Sequence, residues 1–281
     1  MSVTTRALDL STRYFWRVVG RQIDITGDDR WLASPSNAAD ARGDDWLDVL
    51  ESTGRVRKPQ PHDGLLAAFS ALDGPQFEST KVDDRVRDFY EQTAAWQMEV
   101  WSQWNTLFAP GGELIARLWG RRVGQLALPV QPLSVSRGMA STVRIVDDEG
   151  GDRMGAAWVR DLKSDGSKVY SGFYRVGRLP DNEQPHVHVS FPLESGSIQV
   201  FLTPRNDSDG SFWLHSRSAS FGADGAYSVV RFGDNWYAAQ PPLRETFHVF
   251  TDSDGVLRTD HWLRLGPWRA LQLHYRLDRR R

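Results

Sequence analysis

Asp83–Phe108 reads DDRVRDFYEQTAAWQMEVWSQWNTLF, and the spacing of its apolar residues decides how the rest of the chain is divided. Val86, Phe89, Tyr90, Trp96, Val100, Trp101, Trp104, Leu107 and Phe108 fall close to the i, i+3, i+4, i+7 rhythm of a helix with one buried face. The spacing predicts a single helix, capped by Asp83 or Asp84 and stopped by Pro110-Gly111-Gly112. Each buried ring on such a stripe removes roughly 150–250 Å² from water. A helix of this kind needs a broad apolar partner.

Everything beyond residue 140 supplies one, because the period there changes to two. Strands are predicted at 142–148, 155–162, 168–177, 186–193, 198–203, 212–217, 227–232, 244–250, 256–264 and 268–277. Asp165-Gly166, Asp209-Gly210, Asp224-Gly225 and Asp254-Gly255 stand between these runs. Asp-Gly accepts the positive φ that tight hairpins demand, so an antiparallel meander is expected. Ten such strands must hide their edges, and near-closure into a barrel does so most simply. Asp207-Ser208-Asp209-Gly210 and Asp252-Ser253-Asp254-Gly255 look like calcium loops only superficially, since the remaining ligands and the flanking helices are missing. They read as turns.

On the N-terminal side, residues 3–25 are expected to begin with a helix carrying Leu8, Phe15, Val18 and Val19. Residues 26–45 have little periodicity and read as a loop. Short helices follow at Asp45–Ser52 and Leu65–Leu72. After the Asp83–Phe108 segment, 113–126 is an amphipathic basic helix expected to pack on the sheet.

Composition narrows the class of protein. The 34 basic and 36 acidic residues nearly cancel, so no global field draws in nucleic acid. Zero cysteines excludes disulfides, thiolate nucleophiles and Cys-ligated metal. No apolar run reaches bilayer length, and no signal-peptide h-region is present in the first residues. Together these give the expectation of a cytoplasmic protein without an integral membrane segment. The 12 tryptophans are unusual. They suit either an indole-rich core or a pocket for a bulky apolar ligand.

Three constellations carry potential chemistry. His186 and His188 share one face of a strand and could converge on a metal, with Glu194 or His248 as a further ligand. The pair loosely resembles a cupin motif, but the Glu spacing is wrong and the second block is stretched. Simple exposure of this histidine face is the plainer reading, and no metal is assigned. On the last two strands, Thr259-Asp260-His261 can lie opposite His274-Tyr275-Arg276. Asp260 and His261 point to opposite faces, so Asp260 cannot orient His261, which could still act as an acid or base inside a cavity. Third, Arg137 in Ser136-Arg137-Gly138-Met139 follows an apolar stretch and needs a carboxylate, such as Glu91, or an anionic ligand group. No G-x-S-x-G elbow, P-loop or G-x-G-x-x-G is present, so nucleotide chemistry is not expected.

At FYEQT (89–93), VWSQW (100–104), SRGM (136–139), DGSF (209–212), TDH (259–261) and HYRL (274–277) the chain resembles a group of uncharacterised bacterial conserved hypothetical proteins, from about Arg85 to the C-terminus. The resemblance implies no activity. In that group's pattern a histidine pair does not hold the place of His186 and His188, which argues against a general metal site.

The expected fold is therefore α+β: a helical part, 1–135, packed on an antiparallel calycin-like barrel of about eight to ten strands, 136–281. The expected function is binding of a bulky, largely apolar small molecule in the barrel. A cofactor-independent enzyme of cyclase or isomerase type ranks first, ahead of a non-catalytic carrier and a cupin-like metalloenzyme. Arg137, His261 and His274 are the candidate catalytic residues, and Trp158, Tyr170, Tyr174 and Trp213 the candidate ligand-binding ones. No cofactor is called for, and the oligomeric state is left open.

Overall fold

The computed structural model describes residues 14–37, 45–105, 139–163, 166, 168–193, 195–217 and 220–280. Among these residues thirteen strands form one antiparallel sheet: β1 (Arg21–Ile23), β2 (Trp96–Trp104), β3 (Met139–Asp147), β4 (Arg153–Leu162), β5 (Lys168–Gly177), β6 (His186–Leu193), β7 (Gly196–Asn206), β8 (Phe212–His215), β9 (Gly225–Phe232), β10 (Asn235–Ala239), β11 (Leu243–Thr251), β12 (Leu257–Leu265) and β13 (Trp268–Arg279). Ten of them follow one path, β2-β13-β12-β11-β8-β7-β6-β5-β4-β3. The ends of that path come together without a hydrogen-bonded ladder, and Arg280 bridges them by donating to the Ala95 and Ser141 carbonyls at 2.7 and 3.2 Å. The result is a nearly closed antiparallel barrel. β7 is shared. Its first half pairs with β9 and its second half with β8, so β9, β10 and β1 branch off the wall.

The Asp-Gly signals are turns where a strand must reverse. Gly210 (φ 81°) and Gly255 (φ 73°) sit in the links β7–β8 and β11–β12. The neighbouring carboxylates are spent on those same turns: Asp252 accepts from the Asp254 and Val256 amides at 3.0 and 2.8 Å, and Asp209 from Ser211 at 2.8 Å. Asp224-Gly225 instead opens β9.

The single helix expected over Asp83–Phe108 is two elements. Helix α2 covers Asp84–Glu91, with the Asp83 carboxylate capping the Arg85 amide at 2.7 Å, and α1 covers Asp45–Ser52. After a 3-10 turn, the chain becomes β2, paired along its whole length with β13. WQMEVWSQW satisfies a period of two as well as one of 3.6. Trp96, Met98, Val100 and Trp104 pack into the interior cluster, whereas Gln97, Glu99, Trp101 and Gln103 lie on the other face. Pairing with β13 satisfies the edge of the last strand, and that tertiary gain overrides the helical pattern. Trp101 is consequently half exposed, not core.

Residues 65–95 close one end of the barrel. Phe69 lies 5.7, 5.4 and 5.0 Å from the rings of Phe77, Tyr90 and Phe212, and Phe89 reaches Trp96 and Trp158. Helix α1 covers the outer face of β3–β5 through Trp46, Leu47 and Leu50, and the Trp46 indole donates to Ser171 at 3.0 Å. Residues 30–37, expected as loose loop, form a buried strap over β5–β7 in which Leu32, Ser36 and Asn37 are inaccessible. Their anchors are backbone carbonyls and small polar side chains, which carry no hydrophobic period. The 113–126 helix lies outside the described residues.

The two aromatic positions separate core from surface. Phe69→Ala should cost about 3–5 kcal/mol by removing the central ring of a sealed cluster, and Trp101→Ala about 1 kcal/mol or less. Urea unfolding midpoints of the two variants check this, and equal losses would contradict the placement of β2.

Candidate functional site

The inner wall changes character along its length. Near the residue 65–95 closure it is leucine, valine and phenylalanine; further along, β3, β4, β5, β12 and β13 present polar side chains inward. Strand parity explains which ones. On β4, Ala156, Trp158, Arg160 and Leu162 share the inner face, while Ala157 and Val159 pack outward beneath α1. On β5, Tyr170, Tyr174 and Val176 face inward, and Arg160 is paired directly with Tyr170. Gly172, between the two tyrosines, leaves room for a ring: a Cβ there would lie 2.9 Å from the Tyr170 hydroxyl.

Trp158, Tyr170 and Tyr174 therefore come together as expected, with Trp158 5.9 and 5.7 Å from the two tyrosine rings. The Trp158 indole donates to Ser141 at 2.7 Å, and the two phenol hydroxyls are hydrogen-bonded to each other. The Arg160 guanidinium stacks over Tyr170 at 4.0 Å and Trp158 at 4.5 Å, and it reaches the Met98 sulfur at 3.3 Å. Burial pushes the Tyr174 hydroxyl up to about 12 and Tyr170 well above the usual 10. Burial also raises Tyr275, against the pull of the neighbouring Arg160. All three are neutral hydroxyls at physiological pH.

Across the interior, His261 faces inward from β12, stacked on Phe247 at 3.8 Å. Its Nε2 lies 3.1 Å from the Glu245 carboxylate, while Nδ1 is buried with no partner. Glu245 is the acceptor, so Nε2 carries a proton, and no group among the described residues bonds Nδ1. The other expected residues do not join this group. His274 is on the outer face, where its Nδ1 meets Asp260, its direct cross-strand neighbour, at 2.8 Å. Trp213 is also outside, stacked on His248 at 4.0 Å, because its neighbours Phe212 and Leu214 take the inner positions of β8. Arg137 lies outside the described residues. Glu91, its expected partner, accepts the Phe69 amide at 2.6 Å.

His186 and His188 do share a face, but that face is covered, not exposed. His188 accepts from Arg175 Nε at 2.8 Å, meets Gln199 Oε1 at 2.9 Å, and lies parallel on Phe201 at 4.1 Å. Both of its nitrogens are engaged, and a guanidinium stands where a metal would approach. Glu194 lies outside the described residues.

Sequence reading missed Arg160, Glu245 and Tyr275. Parity could have found them. Arg160 follows Ala156 and Trp158, Glu245 precedes Phe247 and Val249, and Tyr275 sits between Leu273 and Leu277, all at spacing two.

No family model matches the chain, and no solved structure matches it. Over 236 residues, 83% of this chain, it is 26% identical to the uncharacterized membrane protein YndJ of Bacillus subtilis (strain 168). The chain spans about 40% of that relative's length. Among the described residues no helix is long and apolar enough to cross a membrane.

Burial holds His186 at about 4 and His188 well below its usual 6.5, with Arg175 adding to the latter. Between pH 6.5 and about 4 the unfolded chain takes up protons that the native state refuses, so stability falls as pH drops through that window. The denaturation midpoint should fall between pH 7.5 and 4.5, and fall less in His186→Leu. Parallel pH profiles for the two proteins would contradict this.

Proposed function

We propose that the barrel binds a bulky, largely apolar small molecule in the manner of a calycin. The observation that carries this reading is the inner wall formed by Trp158, Tyr170, Tyr174 and Tyr275 around Arg160. Wide rings with polar tips give a ligand extensive apolar contact and a few fixed points of orientation, as small-molecule sites do. The Bacillus subtilis relative is named a membrane protein, and apolar molecules concentrate in the membrane phase. Native mass spectrometry of freshly purified protein should show a retained ligand. The uncharged dye Nile red should bind saturably, lose at least tenfold in affinity in Trp158→Ala, and be unaffected by Trp213→Ala. Equal effects of the two substitutions would place the ligand elsewhere.

A catalytic reading rests on His261 and Glu245. A carboxylate that fixes one imidazole nitrogen and leaves the other lone pair free is the arrangement of a general base. His261 would withdraw a proton from the ligand and return it at another carbon, a cofactor-independent isomerisation or cyclisation. Here Glu245 stabilises the imidazolium that forms. Incubated in deuterium oxide, the wild-type protein should introduce deuterium into its retained ligand, whereas His261→Gln should retain the ligand without exchange. A carrier would show no exchange in either protein.

A further inference from the structure

Arg160 is the most sharply defined chemical element of the interior. Its side chain is only 6% exposed, and its Nε is buried with no partner. Among the described residues no carboxylate lies within ion-pair distance of it, and no carbonyl accepts from it. Two partly buried arginines are treated differently. Arg175 donates to the Ala33 and Trp31 carbonyls at 2.7 and 3.2 Å and to His188, and Arg153 donates to the Gly64 carbonyl at 2.7 Å. Arg160 meets two ring faces and a thioether and hydrogen-bonds the Tyr275 hydroxyl, all uncharged partners. A guanidinium stays charged in proteins, and a buried charge without a hydrogen-bonded counter-ion is strongly unfavourable. Among the described residues the fold has put a cation on the inner wall with no counter-ion and with its Nε donor unclaimed.

The phenols beside it complete a half-site. The Tyr170 and Tyr174 hydroxyls contact each other, and neither has another hydrogen bond among the described residues. One must donate to the other, so one O–H proton of the pair remains free. Together with the guanidinium stacked on Tyr170 this puts a cationic donor and a neutral hydroxyl donor side by side on the inner wall. A planar carboxylate uses that set fully, two parallel N–H···O bonds with a third from the phenol. A dianion fits worse. One guanidinium would leave it with an uncompensated charge, and the Glu245 carboxylate already acts on one of the two hydroxyls, Tyr174.

We infer that the apolar ligand of the barrel is a monocarboxylic acid whose carboxylate pairs with Arg160 and hydrogen-bonds the Tyr170–Tyr174 pair. This rests on the barrel-ligand reading and adds the chemical class of the ligand. It also gives the barrel a direction: the acid head lies at the β4–β5 wall, and the apolar body extends towards the rings of Phe247 and Phe191 and the imidazole of His261.

The test uses the full chain and two acid–ester pairs of different shape, cis-parinaric acid and tricyclic abietic acid with their methyl esters, titrated by fluorescence or calorimetry. At least one acid should bind ten or more times tighter than its own ester. Arg160→Gln should abolish the acid's preference over its own ester, while Arg160→Lys should keep part of it. Octadecyl phosphate should bind more weakly than the acids. Acid and ester of equal affinity in the wild type would overturn the assignment of the head group, and this comparison needs no variant that folds. Acid binding unaltered in a folded Arg160→Gln, or the phosphate binding tightest, would overturn it equally. If no acid and no ester binds, the barrel-ligand reading itself falls, an outcome distinct from a ligand that binds without regard to charge.

Discussion

Phe69 stands within ring contact of Phe77, Tyr90 and Phe212, and the barrel has a floor because of that contact. A nearly closed wall of ten strands has two ends to cover, and side chains from the wall alone fill only a narrow lumen. Here residues 65–95 insert phenylalanines, leucines and a buried tyrosine from one end, so the apolar requirement of that half is met without using the other half's wall. Only once the floor is in place can the remaining wall carry polar groups inward. The same closure orients the first part of the chain. Having run across the floor through α2, the chain emerges at the right place and angle to lie beside β13 as β2.

Polar groups are buried in two contrasting ways. Beneath the residue 30–37 strap, Ser190 meets Ser34 and Ser36, Gln199 spans the Leu32 carbonyl and His188, and Arg175 reaches two carbonyls. This network is well connected, as buried polar groups in structural roles are. On the inner wall, Arg160 Nε and His261 Nδ1 have no partners, although their neighbours are well packed. Among the described residues Arg175 and His188 are thus fully engaged, whereas Arg160 Nε, His261 Nδ1 and both ring nitrogens of His186 are left open. Of the conspicuous His186–His188 pair, His188 is tied into the network beneath the strap, whereas His186 has no hydrogen-bond partner for either ring nitrogen among the described residues.

Much of this was legible in the sequence. The ten expected strands after residue 140 are all present, because alternation and Asp-Gly turns are local signals that agree with the final fold. Asp45–Ser52 is helical over the expected residues. WQMEVWSQW was not legible, since its rings satisfy both periods and only the presence of β13 decides between them. β1 and β10 are short and lack a strand-like run, and their pairing joins distant parts of the chain. The nearness of Trp158, Tyr170 and Tyr174 to one another was readable, but the face to which His261 points was not. The error over Trp213 came from treating a large ring as a marker of the interior, when parity with Phe212 and Leu214 sends it outward. Charged residues at inner parity, Arg160 and Glu245, were the stronger signal. They were passed over because sequence alone does not say which of a strand's two faces encloses space.

β1 contributes only three residues to its pairing with β10, yet it is the hinge pin of the strap that follows it. A three-residue strand at the margin of a branched sheet opens at far lower cost than any barrel strand, and short peripheral units of this kind detach without global unfolding. When β1 lifts, residues 30–37 lose one anchor, and the serine, glutamine and arginine groups beneath them can bond to water instead of to the strap. The outer wall of β5–β7 therefore has a rehydration route of its own. Amide exchange along β6 and β7 would proceed through that opening while the floor around Phe69 stayed closed.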